Sequence, residues 1–222
     1  MSHSTSHSDD TVPASADPVS PAAGSSPADP GRPGGFVREA RPEDLEAMGR
    51  LHAAAILASL EAAHQTEHGG QVLPEGVRAM VSAPVITAGW EQAVLEPPSP
   101  EHHVLVATQD DEEGRRVVGL VGLAPAHGTP PDGAEGPGQR GVELTALAVD
   151  PAHQRQGHGS RLLAAAADHA RVVGAEVLLA WAPRGDASLA GFLGGAGLTL
   201  TGSHRELPVG RGVVEECWAA LM

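Results

Sequence analysis

A strand–turn–helix segment in the second half of the chain constrains the fold more than any other feature. The apolar strand predicted at residues 142–149 ends in a turn holding Gly157 and Gly159, and an Ala-Leu-rich helix follows to residue 173. Such a turn collects unpaired backbone N–H groups at the positive end of a helix dipole, where a pyrophosphate can bind. Glycine admits phosphate oxygens where a Cβ would intrude, and Arg155 can add charge-assisted hydrogen bonds. An ordinary strand-to-helix turn can carry the same two glycines, so spacing alone leaves both interpretations open.

Two commoner phosphate motifs do not fit this turn. A P-loop requires Gly-Lys-Ser/Thr, and the chain has no lysine. A dinucleotide fingerprint places three glycines after the first strand, with an acidic residue about 20 residues later. Here the turn follows three antiparallel-looking strands, and residues 160–163 contain no third glycine.

Hydrophobic periodicity predicts a single α/β (α+β) domain over residues 36–222, in the order β-α-α-β-β-β-α-β-α-β-β. The helix after Arg41 has Pro42 at its first position, and a second helix at 75–95 is interrupted near Pro84. Strands at 103–108 and 116–123 form a hairpin, and 125–140 is a long Gly/Pro-rich loop. The remaining elements are a strand at 176–181, a short helix at 187–194, and a closing pair of strands at 198–206 and 213–219.

Composition excludes several classes of protein. Residues 1–35 are nearly all Ser, Pro, Ala, Gly, Asp and His, which predicts a disordered tail. The net charge of −14 argues against binding to nucleic acid or to an anionic membrane. No apolar run is long enough to span a bilayer, and the scattered histidines show no metal-ligand spacing and are expected to be exposed. The lone Cys217 favours a reducing cytoplasm and is expected to be a small core residue.

The turn and its surroundings resemble the coenzyme A motif of the GNAT N-acetyltransferase family. Gln154, Gly157 and Gly159 match the pattern Gln/Arg-x-x-Gly-x-Gly/Ala, and residues 147–151 match the strand end that precedes it. Downstream, a third segment resembles the family's Asn-…-Phe-Tyr-…-Gly-Phe stretch. Its matching positions are Asp186, Phe192, Leu193, Gly197 and Leu198. The resemblance spans residues 36–222 and is sharpest over 142–198.

The resemblance implies a central mixed sheet flanked by helices and splayed between the strands at 142–149 and 176–181. Acetyl-CoA would be the co-substrate, with its pantetheine arm in the cleft and its pyrophosphate on the turn. The residues implied in binding it are Leu147, Ala148, Val149, Gln154, Arg155, Gln156, Gly157, His158, Gly159, Ser160, Asp186 and Phe192. The implied acceptor is an amine-bearing small molecule or peptide. The sequence is also compatible with a homodimer.

Direct acyl transfer to an ammonium requires a base, and the departing thiolate can use an acid. Glu143 lies where the resemblance often places a glutamate base, although a carboxylate exposed on an edge strand would look the same in sequence. The chain has no tyrosine, and Leu193 stands where family members often use one as the acid. Water or Ser188 can fill that role, or the thiolate can leave unassisted. His127, in the predicted loop, is a candidate accessory base.

Two further functions are compatible with the sequence. The missing tyrosine favours a non-catalytic acyl-CoA-binding module, a sensor or interaction domain, while the intact turn and Glu143 favour an enzyme. A purely structural α/β domain is the third alternative. Of the tryptophans, Trp181 and Trp218 alternate with apolar neighbours and are expected in the core, whereas Trp90 is a candidate for the acceptor site.

Overall fold

The computed structural model describes residues 35–111, 114–127, 139–207 and 212–222. Sequence-based expectations for residues 1–34, and for most of the predicted Gly/Pro-rich loop, lie outside the described residues.

Within the described residues, seven strands form one sheet in the order β1-β2-β3-β4-β5-β7-β6. The strands are β1 (Gly35–Glu39), β2 (His103–Asp111), β3 (Gly114–His127), β4 (Arg140–Val149), β5 (Val177–Pro183), β6 (Thr199–Glu206) and β7 (Val214–Leu221). Only the β4–β5 pair is parallel, and the other neighbours are antiparallel. The predicted central mixed sheet is confirmed.

The described residues form five α-helices: α1 (Leu45–Glu67), α2 (Glu75–Met80), α3 (Ala83–Leu95), α4 (His158–Val172) and α5 (Ala187–Gly195). The interruption predicted near Pro84 divides the second predicted helix into α2 and α3, with Pro84 in the first turn of α3. Proline is favoured there because it lacks only an N–H that would be unpaired anyway. No described helix is long and apolar enough to cross a membrane.

The described sheet carries a hydrophobic core on each face. On one face α4 and α5 contribute Leu162 and Leu193 to a cluster with Leu144 and Leu178. On the other face, α1 and α3 pack Met48 and Trp90 against residues of β2, β3 and β4, among them Ala146 and Ala148. The register of β3 and β4 shifts next to Thr145, so the alternation of faces changes there. Strand β4 is therefore covered on both faces and is a central strand, not an edge strand.

Strand β3 is longer than the sequence predicted. Pro125 pairs with Val142 and His127 pairs with Arg140, so both belong to the sheet and not to a loop. The β2–β3 hairpin likewise continues into the charged stretch, where Asp110 pairs with Arg115. Cross-strand pairing with β2 and β4 extends β3 past its apolar run, which is why hydrophobic pattern alone underestimated it.

Candidate functional site

Strands β4 and β5 separate partway along their length and open a cleft in the sheet. Their ladder runs only from Gly141 paired with Val177 to Leu144 paired with Ala180. Both strands continue past this point, and β4 keeps its pairing with β3 up to Val149. The edge of β4 that faces β5 is thus free of ladder partners from Thr145 onward. The splay predicted between these two strands is present.

The cleft encloses about 60 Å³ and reaches both faces of the sheet. On the α5 face, Leu189 and Leu193 line it. On the opposite face its lining includes Trp181, Arg205 and Glu215. Successive side chains of a strand point to opposite faces, so Trp181 faces away from the core that holds its neighbours in β5. The expectation that Trp181 is a core residue is wrong, because it lines the cleft.

At the end of β4 the chain makes the glycine turn that the sequence indicated. The Asp150 carboxylate accepts a hydrogen bond from the Ala152 N–H at 2.9 Å and fixes the start of the turn. Gly157 (φ +84°) and Arg155 (φ +61°) both have left-handed backbones, and Arg155 is the one non-glycine residue with positive φ in the part of the chain that the structure describes. Among the described residues, the backbone N–H groups of residues 155–160 have no intramolecular hydrogen-bond partner. They form a set of free donors where α4 begins.

The two glycines of the turn have different local roles. Gly157 needs its left-handed conformation, which a residue with a Cβ adopts at a cost. At Gly159 a Cβ would lie 3.3 Å from the ring carbons of Phe192. Gly159 therefore allows α4 to pack closely on α5, a role that the sequence did not reveal. The sequence analysis gave Gly159 a different role, that of leaving room for a phosphate group, and this stays a prediction.

His158, which the sequence placed among exposed histidines, is 2% exposed. Its Nε2–H donates to Gln109 Oε1 at 2.9 Å, and its Nδ1 accepts from Arg161 Nη2 at 3.0 Å. Burial, Arg161 and His153 lower the pKa of His158, so the imidazole is neutral. Arg161 Nη2 also donates to the Gln156 carbonyl at 3.3 Å, so the guanidinium lies against the turn. Sequence reasoning missed this cation, whose only signal was its place one helical turn after Gly157.

The remaining predicted cofactor residues surround the turn and the cleft. Leu147 lines the cleft, Val149 packs on the α4 side, and Ala148 is buried on the opposite face. Gln154 and Gln156 are exposed and donate to the carbonyls of Val149 (3.4 Å) and Ala152 (3.3 Å), respectively.

Asp186 holds α5 against α1. Its Oδ1 accepts from the backbone N–H groups of Ser188 (3.1 Å) and Leu189 (3.0 Å), capping α5, and its Oδ2 accepts from Ser59 Oγ at 2.6 Å. Asp186 is 7% exposed. Both of its oxygens are engaged in positioning α5 and hence the leucines that line the cleft.

Glu143 lies in β4 with its side chain 27% exposed, on the same face as Trp181. Arg205 Nη1 is 3.7 Å from Glu143 Oε1, and the Arg205 guanidinium stacks 4.3 Å from the centre of the Trp181 ring. Arg205 Nε donates to Glu215 Oε2 at 2.7 Å. The four side chains form one charged cluster at the cleft. Arg205 and Glu215 were missed because they belong to the closing strand pair, 60 or more residues from Glu143 in the sequence.

The other candidate residues are spread around the sheet. His127 is paired with Arg140 at the opposite end of β4 from the turn, and Ser188 is exposed in the first turn of α5. Trp90 is buried, and its Nε1–H donates to His52 Nδ1 at 3.1 Å. A Cβ on Gly122 would meet both Trp90 and Thr145, so the Trp90 ring lies just behind the cleft. No group of three potential metal ligands occurs in the described ranges.

Comparison with solved structures supports the same fold. The PaiA N-acetyltransferase of Thermoplasma acidophilum, solved with coenzyme A, is 15% identical, covers 85% of this chain and 99% of its own, and gives a TM-score of 0.59. YncA of Salmonella typhimurium, solved with acetyl-CoA, is 21% identical, with coverage of 85% and 94% and a TM-score of 0.52. The ribosomal-protein-alanine N-acetyltransferase of Brucella melitensis is 20% identical, with coverage of 84% and 99% and a TM-score of 0.52.

Comparison at the sequence level identifies the family. No curated protein matches the chain. The model of the acetyltransferase (GNAT) family matches residues 75–192, more than half of the chain. The match includes the splayed strand β4, the glycine turn and most of α5. This chain belongs to the GNAT acetyltransferase family.

Proposed function

We propose that the chain is an N-acetyltransferase that moves the acetyl group of acetyl-CoA to a primary amine of a small molecule or peptide. One observation carries this proposal: the free edge of β4 is followed, after residues 150–154, by the free N–H groups of residues 155–160. An extended chain with amides, ending in a diphosphate, matches both parts of that path. Pantetheine and the pyrophosphate of coenzyme A have this chemistry.

The residues of the path suit such a ligand. The backbone of Leu147 and Val149 can pair with pantetheine amides as a neighbouring strand would on the free edge of β4. The N–H groups of residues 155–160 can donate to the pyrophosphate. Arg161 adds positive charge beside the turn, since its guanidinium is held by the Gln156 carbonyl and by His158. The structures of PaiA and YncA contain coenzyme A and acetyl-CoA. Bound acetyl-CoA supplies the activated acetyl thioester.

Glu143 is the proposed base. It lies on the Trp181 face of the cleft, opposite the α5 leucines, where an amine can approach. The carboxylate takes a proton from the acceptor ammonium, directly or through a water molecule. The amine nitrogen then bonds to the thioester carbonyl carbon, the carbon–sulfur bond breaks, and the thiolate leaves. The nitrogen gives up its second proton to solvent or to the departing thiolate, which leaves a neutral amide. A thiolate with a pKa near 8.5, by analogy with cysteine, leaves without an obligatory protein acid, which fits a chain that has no tyrosine.

A thiol-release assay with acetyl-CoA and a panel of primary amines tests the proposal. Release of coenzyme A that depends on the amine, with acetylated product in the mass spectrum, is the expected result. The missing tyrosine favours the alternative of a non-catalytic module, which would bind acetyl-CoA in calorimetry and release no thiol. Absence of any acetyl-CoA binding would exclude both. We further propose that the protein acts in the cytoplasm, because a lone cysteine suits a reducing compartment.

A further inference from the structure

We infer that the acceptor carries a second positive charge, which takes the place of the Arg205 guanidinium on Trp181 and Glu215. This inference rests on the proposed function and names the class of its acceptor: a diamine, or another amine with a nearby cationic group.

The surroundings of Arg205 are those of a cation-binding site. Glu215 accepts a hydrogen bond from the guanidinium at 2.7 Å, the Trp181 ring lies 4.3 Å away, and Glu143 lies at 3.7 Å. These groups come from three different strands. An indole face combined with carboxylates is a general means of recognising organic cations. In this structure the cation that occupies the site is the chain's own.

The site is fixed more firmly than its occupant. The Glu215 side chain is 13% exposed, whereas that of Arg205 is 47% exposed. Arg205 belongs to β6, an edge strand whose residues are all exposed and which pairs only with β7. Moving this side chain into solvent disrupts no core packing. Its departure removes the cation that Glu143 and Glu215 both contact, and an incoming cation restores this interaction.

The geometry also gives the Glu143 and Glu215 carboxylates different roles. Glu143 is the more distant from Arg205 and makes no hydrogen bond to it, so it is free for the reacting ammonium. Glu215 and Trp181 hold the guanidinium closely and are the partners for the distal charge. A short alkyl spacer between the two charges would join these positions. A neutral distal group forms no ion pair with Glu215, and an anionic distal group is repelled by it.

Three acceptors of matched length test the inference: butanediamine with its amino groups at the two ends, butylamine, and gamma-aminobutyrate. They share the reacting amine and differ only in the distal group, which is cationic, neutral or anionic. We expect kcat/KM for the diamine to exceed that for butylamine by about tenfold, the scale of a cation–π contact plus a partly buried ion pair. Gamma-aminobutyrate should be the poorest acceptor.

Glu215→Gln should reduce the ratio of diamine to butylamine kcat/KM to about one, because it removes the charge while keeping the shape. Glu216→Gln is the matched control. Glu216 is the next residue of β7, and its carboxylate pairs with Arg184 at 2.9 Å, outside the cluster. That variant should keep the wild-type ratio. Arg205→Gln should keep or increase the ratio, since it removes the internal competitor.

Equal rates with butylamine and the diamine would overturn the inference. So would a preference for gamma-aminobutyrate that Arg205→Gln abolishes, since Arg205 would then bind an acceptor carboxylate. If no amine is acetylated, the proposed function fails, and calorimetry with the coenzyme A complex still decides this inference. Tighter binding of the diamine than of butylamine, lost in Glu215→Gln, supports the cation site, and equal binding contradicts it.

Discussion

At the residue scale, Glu143 combines partial exposure with a position beside the free edge of β4. Its neighbours in β4 and β5 are apolar, and its one charged contact on the described residues is Arg205. A carboxylate in such a place can reach an amine at the cleft and pass the proton on to solvent. This arrangement makes Glu143 the first residue to change in a test of mechanism.

Glu143→Gln should lower kcat by roughly 10²–10⁴, the usual contribution of a general base, with acetyl-CoA affinity unchanged. Raising the pH should partly restore turnover, because more of the amine is then already unprotonated. Steady-state kinetics as a function of pH, with calorimetry for acetyl-CoA, measure both effects. Ser188→Ala should cost far less. Near-wild-type turnover of Glu143→Gln at neutral pH would move the base elsewhere, and His127→Asn would be the next variant.

His52 gives the folded state a dependence on pH. Burial lowers the pKa of His52 to about 4, and the Trp90 N–H bonded to its Nδ1 places the remaining proton on Nε2. The unfolded chain therefore binds a proton that the folded chain refuses once the pH falls below the ordinary histidine value of about 6.5. Stability from this residue is complete above that pH and is lost progressively down to about pH 4.

Between pH 7 and pH 5, His52 should therefore cost the wild type about 2 kcal/mol of unfolding free energy. His52→Asn keeps an acceptor near the Trp90 N–H but does not titrate, so its denaturant midpoint should fall less over the same pH range. Urea titrations of both proteins at the two pH values measure the difference. Parallel loss of stability in the two proteins would contradict the assigned pKa. Other histidines contribute equally to both and cancel in the comparison.

At the element scale, the turn between β4 and α4 depends on one glycine conformation. Gly157 has φ +84°, and a Cβ there would also lie 3.0 Å from Arg161 Nη1. Substitution at this position reorients several free N–H groups at once and displaces the guanidinium beside them. The effect on a bound diphosphate should exceed the effect on the fold.

Gly157→Val should weaken acetyl-CoA binding by about 10- to 100-fold, the scale of one or two charge-assisted hydrogen bonds. Gly174→Val is the matched control. Gly174 follows the other end of α4 with φ +68°, and nothing lies within 4 Å of its Cβ position. Both variants should lose about 1–3 kcal/mol of stability from backbone strain, but only Gly157→Val should lose affinity in calorimetry. Equal affinities would show that the turn does not hold the diphosphate.

The sequence predicted the elements well because local patterns determine them. Alternation indicated the strands, and the glycine spacing located the turn to within one residue of the start of α4. The charged cluster could not be predicted in this way, since Arg205 and Glu143 meet only when β4, β5, β7 and β6 lie side by side. Likewise, buried His158 is hydrogen-bonded to Gln109 in β2, which lies 49 residues away in the chain. Local sequence patterns do not predict contacts between residues that lie far apart in the chain.

At the scale of the whole molecule, residues 1–35 are predicted to contribute little to the folded domain, because their composition offers almost no apolar surface to bury. A chain shortened to begin near Gly34 should keep its Tm and its affinity for acetyl-CoA. Thermal unfolding and calorimetry on the full and shortened chains make the comparison. A loss of several degrees in Tm would show that the segment packs on the domain.

The short β4–β5 ladder also has a consequence for how the molecule opens. In the described sheet this ladder alone joins the four strands β1–β4 to the three strands β5, β7 and β6. Local opening should therefore begin there, because weakly bonded segments open before the rest of a fold. Amide hydrogens of β4 that face β5 beyond Leu144 should exchange with deuterium far faster than those paired with β3. A ligand lying in the cleft would supply the missing acceptors for these N–H groups. Slower exchange at the β4 amides would then report that the ligand is bound.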